Sequence, residues 1–167
     1  MSPDATRRTD AVPRAAVALT TAARVALGVL WLNEGLIKYR AGFGAADIQL
    51  VVDGAAANSR VPGYFQVFAE HVLGAAPGLF GVLMPLLETG LGVALIAGVL
   101  TLPVAFASVG TLLTYWSADQ LTESYPVMVA LAVVLVAWPL PASRVSVTAL
   151  VRRVRLSQGS AGPRSPS

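Results

Sequence analysis

The chain has 167 residues, of which 55% are hydrophobic and only 13% are charged, whereas a soluble domain carries about a quarter charged residues. Its mean hydropathy of +0.67, with long apolar runs between clusters of charge, indicates an integral membrane protein. The net charge of +3 does not indicate nucleic-acid binding, because the arginines flank apolar runs and form no separate basic domain. Zero cysteines and one histidine exclude disulfides, thiolate metal centres, iron–sulfur clusters and haem held by a histidine pair within one chain.

The first predicted spanning helix follows a polar leader, residues 1–13, which we expect to be flexible and cytoplasmic. The helix extends from Ala15 to about Lys38, which is the length of roughly 20 residues that a bilayer crossing requires. Arg24 interrupts its apolar part and no convincing small-residue cleavage site follows. These two features disfavour a signal peptide.

The connection between Tyr39 and Pro77 is too polar to span a membrane, but its two halves have helical periodicity. Amphipathic helices of this kind lie at a membrane interface or cap the mouth of a bundle. The first predicted amphipathic helix extends from Ala45 to Ala57. The predicted apolar faces consist of Ile48, Val51, Val52 and Ala55 in this helix, and of Tyr64, Phe65, Phe68 and Val72 after Pro62.

Three further apolar segments predict three more crossings, in residues 79–100, 103–116 and 127–140, and we expect Pro139 and Pro141 to end the last one. The second crossing contains small residues at four-residue spacing, Gly90, Ala94 and Gly98, which permit close approach of a neighbouring helix and permit, without requiring, a homo-oligomer. The last two crossings are short, so we expect polar residues beside them to extend their helices. The predicted fold is therefore an all-α, integral membrane four-helix bundle in residues 14–142, with a basic, partly disordered cytoplasmic tail in residues 143–167.

Lysines and arginines in short flanking segments set the orientation of membrane helices. The leader and the tail are rich in arginine, whereas the loop between the third and fourth crossings contains only Asp119 and Glu123 as charged residues. We therefore expect a plasma-membrane protein with both termini in the cytoplasm and the long connection outside. In this orientation the rings of Tyr115, Trp116 and Tyr125 are expected at the outer interface.

Ionisable residues inside the predicted crossings are the candidates for function. A charge at the centre of a spanning helix costs about 2.5–3.5 kcal/mol, so it normally faces the bundle interior and has a partner. Arg24, Trp31, Glu34 and Lys38 recur at intervals of seven, three and four and share one helical face, and Glu88 lies in the middle of the second crossing.

Because the first two crossings run antiparallel, we expect an Arg24–Glu88 ion pair. Two alternatives stay open for Glu88: a pair with Lys38, or a protonated carboxyl in apolar surroundings. Arg24 could also extend to the cytoplasmic head groups, Lys38 could be an interface anchor, and Glu34 could pair with Lys38 along the helix.

The remaining polar and aromatic candidates carry weaker signals. Trp31 is more typical of packing than of a cofactor platform, and His71 is typical of an exposed or capping residue. Asp119 and Gln120 could close a polar site above Glu34 and Lys38, or could be loop residues in water.

Two motifs carry a resemblance to a known family. The pattern R-x3-G-x2-W-x-N-E-G-x2-K from Arg24 to Lys38, followed by E-T-G-L-G-V-A-L-I-A-G from Glu88 to Gly98, resembles the DoxX family of bacterial four-helix membrane proteins. That family is similar in turn to DoxD, the small membrane subunit of thiosulfate–quinone oxidoreductase. Arg24, Gly28, Gly35 and Lys38 match the first motif, and Glu88, Gly92 and Gly98 match the second.

The resemblance implies a subunit of a membrane-bound, quinone-linked oxidoreductase or oxidative-stress assembly. Lys38 or Arg24 would stabilise negative charge on a reduced quinone, and Glu34 or Glu88 would exchange the proton. The residues expected to contribute to cofactor binding are Trp31, Asn33, Trp116, Asp119 and Gln120, and no metal site is expected.

Without cysteine, the chain requires either direct transfer from a substrate to the quinone or an oxidoreductase partner that supplies the redox centre. Two alternatives belong to other classes. One is a non-catalytic scaffold that recruits a soluble oxidoreductase, and the other is a pathway for small solutes or lipids.

Overall fold

The computed structural model describes residues 13–120, 122–147 and 150. These residues form helices and their connections, with no strand among them, which confirms the all-α prediction. The predicted leader, apart from Pro13, and the tail arginines after Arg144 lie outside the described residues. The helices are α1 (Arg14–Ala41), α2 (Ala45–Ala57), α3 (Gly63–Phe68) with a π-helical turn (Ala69–Leu73), α4 (Pro77–Ala97), α5 (Thr101–Ser117), α6 (Tyr125–Ala137) and α7 (Pro139–Arg144).

Four of these helices correspond to the apolar segments predicted from the sequence: α1, α4, α5 and α6. Polar residues extend two of them as expected, since α5 begins at Thr101 and α6 begins at Tyr125. The end of α6 differs from the prediction. It ends at Ala137, and Pro139 begins the separate helix α7, which is possible because proline needs no N–H donor in the first turn of a helix.

The four long helices pack in a closed ring. Helix α1 contacts α4 and α6, and α5 contacts the same two helices from the other side. Helices α1 and α4 run antiparallel, because Arg24 of α1 lies beside Leu95 of α4 whereas Lys38 lies beside Glu88. We call the two ends of the ring the Arg24 end and the Lys38 end. Its centre is filled by the fully buried side chains of Leu27, Trp31, Leu95, Met128 and Leu135.

Glycines allow α1 and α4 to approach closely. A Cβ atom placed on Gly28 would lie 2.9 Å from the carbonyl oxygen of Gly92, and one placed on Gly92 would lie 2.8 Å from that of Gly28. The predicted series of small residues that begins at Gly90 does not form this contact, because a Cβ on Gly90 would meet nothing within 4 Å. The contact uses Gly92, which lies two residues further along α4 and therefore on a different face.

Helices α2 and α3 form a cap over the Lys38 end. Their inner side chains form a second apolar cluster made of Ile48, Ala55, Val61, Phe65, Ala69 and Leu73. The first predicted amphipathic helix matches α2 in its bounds. The face predicted after Pro62 is partly wrong, because Tyr64 is 69% exposed and Val72 is 40% exposed. The buried side is instead the series at spacings of four that begins at Phe65 and continues through the π-helical turn.

The outward surface of the ring is apolar. Large hydrophobic side chains are more than half exposed on all four long helices, including Val29, Val82, Phe106 and Val133. Helices α1 and α4 are long and apolar enough to cross a membrane, and only 33% of the most apolar window of each is buried. The helices of a soluble core bury most of their apolar residues, so this surface requires another explanation.

Candidate functional site

A fully buried carboxylate lies at the Lys38 end of the ring. The Lys38 ammonium donates to Oε1 of Glu88 at 2.6 Å, and the side chain of Glu88 is 0% exposed. The Tyr115 hydroxyl donates to the same oxygen. The other oxygen, Oε2, is buried and has no hydrogen-bond partner within the described chain. The predicted Arg24–Glu88 pair is therefore wrong, and the alternative pair with Lys38 is confirmed.

The register of α1 against α4 decides this pairing. Thr89 of α4 lies level with Gly35 of α1, which is eleven residues beyond Arg24. At 1.5 Å per residue the two positions on α1 are about 16 Å apart along the helix. Glu88 is thus within reach of Lys38, one turn beyond Gly35, and too far from Arg24.

Arg24 instead binds the end of α4. Its guanidinium donates to the carbonyl oxygens of Leu95, of Ile96 at 3.1 Å and of Val145 at 2.8 Å. The last carbonyls of a helix lack partners within the helix and carry the negative end of its dipole, so they attract a cation. Arg24 is 3% exposed, so it does not extend to the head groups, and it lies at the opposite end from the Glu88 carboxylate.

Aromatic side chains surround the buried ion pair. The rings of Tyr115 and Tyr125 stack with centroids 5.4 Å apart. Each is only 6% exposed, so both rings are buried within the bundle, and their position near the outer interface stays a prediction. Trp31 is fully buried below them, and its Nε1 donates to Ser108 Oγ at 3.0 Å. This contact supports the packing interpretation of Trp31.

The other predicted site residues are divided between the cluster and its surroundings. Glu34 lies at the same end and accepts a hydrogen bond from Ser124 at 3.0 Å, so its partner is not Lys38. Asn33 is exposed on α1, and Trp116 is 65% exposed on α5. Asp119 pairs with Arg60 of the connection between α2 and α3.

A cavity of about 120 Å³ lies between the ion pair and the cap. Lys38, Tyr115 and Tyr125 form its polar floor, and Gln120 lies on its lining. Lys38 is the single lysine of the chain, and its ammonium lies 5.4 Å from the ring centroid of Tyr115. The walls are apolar and largely aromatic, formed mainly by Phe43, Ile48, Phe65, Phe68, Phe80 and Met84.

Sequence reasoning missed these walls. Phe43 and Phe80 flank the cap in the chain, and only its fold over the Lys38 end brings them to the cavity. One signal was present in the sequence, because Phe80, Met84 and Glu88 recur at spacings of four, which places them on one side of α4.

The donor set of the cavity fits an uncharged aromatic acceptor better than a metal ion. An ammonium group has three N–H donors and no acceptor, and Lys38 donates one of them to Glu88. Its remaining donors can bind a carbonyl oxygen, while the aromatic walls pack against a ring. Within the described residues, no group of three or more His, Cys, Asp or Glu side chains could hold a metal ion.

Comparisons with protein-family models, with curated proteins and with solved structures returned no match for this chain. The geometry of the Lys38 end is therefore the basis for assigning a function.

Proposed function

We propose that the chain is an integral membrane protein that crosses the bilayer four times, with α1, α4, α5 and α6. The support is that charged side chains are buried and apolar side chains are exposed, which is the reverse of the arrangement in a soluble protein. The interior holds Arg24 at 3% exposure and Glu88 at 0%, whereas the outward surface is apolar around the ring. Lipid solvates such a surface, and a bilayer forces ionisable groups into the bundle interior.

The charge distribution supports an orientation with the Lys38 end outside. Arg14 and Arg144 lie at the Arg24 end, and the sequence places six further arginines before α1 and after α7. The Lys38 end carries most of the acidic residues, including Asp47 and Asp119. Since cytoplasmic segments are enriched in lysine and arginine, both termini are assigned to the cytoplasm.

We further propose that the cavity binds the head group of a quinone and that the chain serves a membrane-bound, quinone-linked oxidoreductase of the DoxX-like kind. The main support for quinone binding is that the ammonium group of Lys38 lies on the floor of an aromatic cavity at one end of the four-helix ring. An apolar cavity of about 150 Å³ binds benzene, so a cavity of 120 Å³ is close to the size of one aromatic ring, and its side-chain walls would move apart to admit a substituted quinone.

The chain's own residues would bind and orient this group. The N–H groups of Lys38 that do not bind Glu88 donate to a carbonyl oxygen of the quinone and favour negative charge on that oxygen. Glu88 accepts hydrogen bonds from both Lys38 and Tyr115 through its Oε1 atom. Its other oxygen, Oε2, would hold the proton. A bound quinone supplies two-electron redox chemistry. Because the chain has no cysteine, the electrons would come either directly from a substrate or from a partner subunit with its own redox centre.

The transport alternative has less support, because bulky side chains such as Leu27, Trp31 and Leu95 fill the middle of the ring. The scaffold alternative stays a prediction, since the basic tail lies mostly outside the described residues. Deletion of residues 151–167 separates it from the quinone site: a partner docked on the tail is lost, whereas quinone binding at Lys38 remains.

Single introduced cysteines test the orientation, because the chain has none of its own. Ser59→Cys marks the outer connection and Val147→Cys marks the segment after α7, and both residues are exposed. In intact cells, a membrane-impermeant maleimide should label the first variant and not the second. Labelling of both or neither, or the reverse pattern, would contradict the orientation.

Quinone binding tests the site. Purified protein in lipid nanodiscs should bind ubiquinone or menaquinone, and Lys38→Met should weaken that binding at least tenfold. Arg40→Met is the matched control, because Arg40 is an exposed cation two residues further along α1 and outside the cavity lining. Tyr115→Phe removes one floor hydroxyl without removing the ring and provides a milder second variant. Equal affinity for all four proteins would refute the assignment.

A further inference from the structure

A second cavity, which we call the Arg60 groove, lies on the outer surface beside the end of α5. Its volume is about 380 Å³, and its lining includes Arg60, Tyr64, Leu113, Trp116 and Asp119. The cavity above Lys38 shares none of these lining residues. Nothing in the proposed quinone chemistry uses the groove.

The polar wall of the groove pairs a cation with an anion. Arg60 donates from Nη2 to Asp119 Oδ2 at 2.5 Å, and Asn58 donates to the same oxygen at 2.7 Å. The Arg60 side chain is 78% exposed and that of Asp119 is 23% exposed. The guanidinium therefore keeps further donors available, and Asp119 Oδ1 accepts no hydrogen bond from the described residues. Tyr64 and Ser117 add two hydroxyls that bind each other at 2.7 Å.

The apolar wall of the groove continues onto the surface that we assign to lipid. Phe106, Leu113 and Trp116 recur at intervals of seven and three, so they share one face of α5. All three are more than half exposed. Tryptophan and tyrosine are enriched at the depth of the lipid head groups, and Trp116 and Tyr64 both line this groove.

We propose that the Arg60 groove binds a phospholipid of the outer leaflet whose head group combines a phosphate with a primary ammonium. Arginine recognises phosphate through its planar array of donors, so Arg60 takes the phosphate while Asp119 takes the ammonium. One acyl chain then lies along Leu113 and Phe106. Charge complementarity selects this zwitterionic head over an anionic one, because an anionic head has no ammonium to pair with Asp119. The inference rests on the membrane placement proposed above and is independent of quinone binding.

Native mass spectrometry of the whole protein in detergent tests the proposal by titration with three lipids of matched acyl chains. Phosphatidylethanolamine should bind at least five times more tightly than phosphatidylcholine, whose ammonium is fully methylated, and than phosphatidylglycerol, which has no ammonium. Arg60→Ala should weaken the binding of all three lipids at least fivefold, because each carries the phosphate, whereas Arg40→Ala, at an exposed arginine outside the groove, should leave the affinities unchanged. Asp119→Asn should bring phosphatidylethanolamine and phosphatidylcholine to the same affinity.

The fold of each variant is checked by its thermal transition, and Arg60→Lys, which keeps the charge, should retain part of the affinity. Equal binding of the three lipids by the native protein, a preference for phosphatidylglycerol, or an unchanged affinity in Arg60→Ala would overturn the proposal. Soluble glycerophosphoethanolamine should not compete at the concentrations at which the lipid binds. Equal competition would identify a free head group as the ligand and would also overturn the phospholipid assignment. The topology labelling reports which side of the membrane each end occupies, and the lipid titration reports the head-group preference, so a failure of the membrane placement and a failure of this proposal are distinguishable.

Discussion

Lys38→Met should destabilise the protein by about 3 kcal/mol. The substitution leaves the Glu88 carboxylate, at 0% exposure, without its cation. Removal of one member of a buried ion pair costs about 3–5 kcal/mol. We expect the lower end of this range, because the Lys38 side chain is 18% exposed and Tyr115 still donates to the carboxylate. A loss of 3 kcal/mol changes the folding equilibrium on the order of a hundredfold.

The double substitution Lys38→Met with Glu88→Leu should restore most of this stability. Replacement of a buried ion pair by apolar side chains of similar volume is often neutral or stabilising. Unfolding in mixed micelles with increasing dodecyl sulfate, followed by tryptophan fluorescence, measures the difference, since Trp31 is fully buried beside the cluster. Arg40→Met controls for the loss of a cation at this end of α1 and should change the unfolding free energy by less than about 0.5 kcal/mol.

Two results would refute this reasoning. If Lys38→Met is as stable as Arg40→Met, the carboxylate does not depend on the ammonium in the folded protein. If the double variant is less stable than Lys38→Met alone, the two side chains are not coupled through a buried pair.

Three further predictions use the same unfolding assay. Gly28→Ala should cost about 1–3 kcal/mol through overpacking against α4, while Gly90→Ala, where a Cβ meets nothing within 4 Å, should be neutral or stabilising; the reverse order would contradict the packing described for α1 and α4. Arg24→Gln should cost at least about 2 kcal/mol, because hydrogen bonds to a charged donor are worth about 1.5–3 kcal/mol; an unchanged midpoint would show that Arg24 does not fasten the end of α4. Trp31→Phe should cost about 1–3 kcal/mol by leaving Ser108 Oγ unpaired, and adding Ser108→Ala should recover part of that loss; no recovery would argue against the Trp31–Ser108 bond.

The long helices could be predicted because each depends on a local property of the sequence. Apolar length predicted α1 and α4, and apolar periodicity predicted α2 with its observed bounds. The pairing of Glu88 could not be predicted in the same way. It depends on the register of two helices, and the contact between Gly28 and Gly92 that fixes this register joins residues 64 positions apart.

Arg24 shows a second limit of sequence reasoning. An acidic side chain was the expected partner of Arg24, whereas its partners in the structure are backbone carbonyl oxygens at the end of α4. Carbonyl groups occur at every residue, so composition carries no signal for them. The sequence offered one hint, Gly98, because glycine is the usual residue just after a helix. Its φ of 71° in the structure agrees with that position. A helix end predicted there would have indicated backbone carbonyls near Arg24.

The cavity walls were missed because they come from a tertiary arrangement. Phe43 precedes α2 and Phe65 lies in α3, and both residues reach the cavity only when the connection folds back over the Lys38 end. The polar lining was partly predicted, since Lys38 was a candidate and Gln120 was one of two residues that could close a polar site above it. Tyr115 and Tyr125 were expected at the interface, because an aromatic residue near the end of an apolar run is typical of both interfacial and buried positions.

The central claim is that a quinone occupies the cavity above the Lys38–Glu88 pair. Photolabelling with an azido-quinone in native membranes, followed by peptide mass spectrometry, tests it most directly. The account predicts labels on cavity residues such as Phe43, Phe68 and Met84, with excess unmodified quinone suppressing them and Lys38→Met abolishing them. Labels confined to the outward face of α4, such as Val82 and Val93, and insensitive to competing quinone would contradict it.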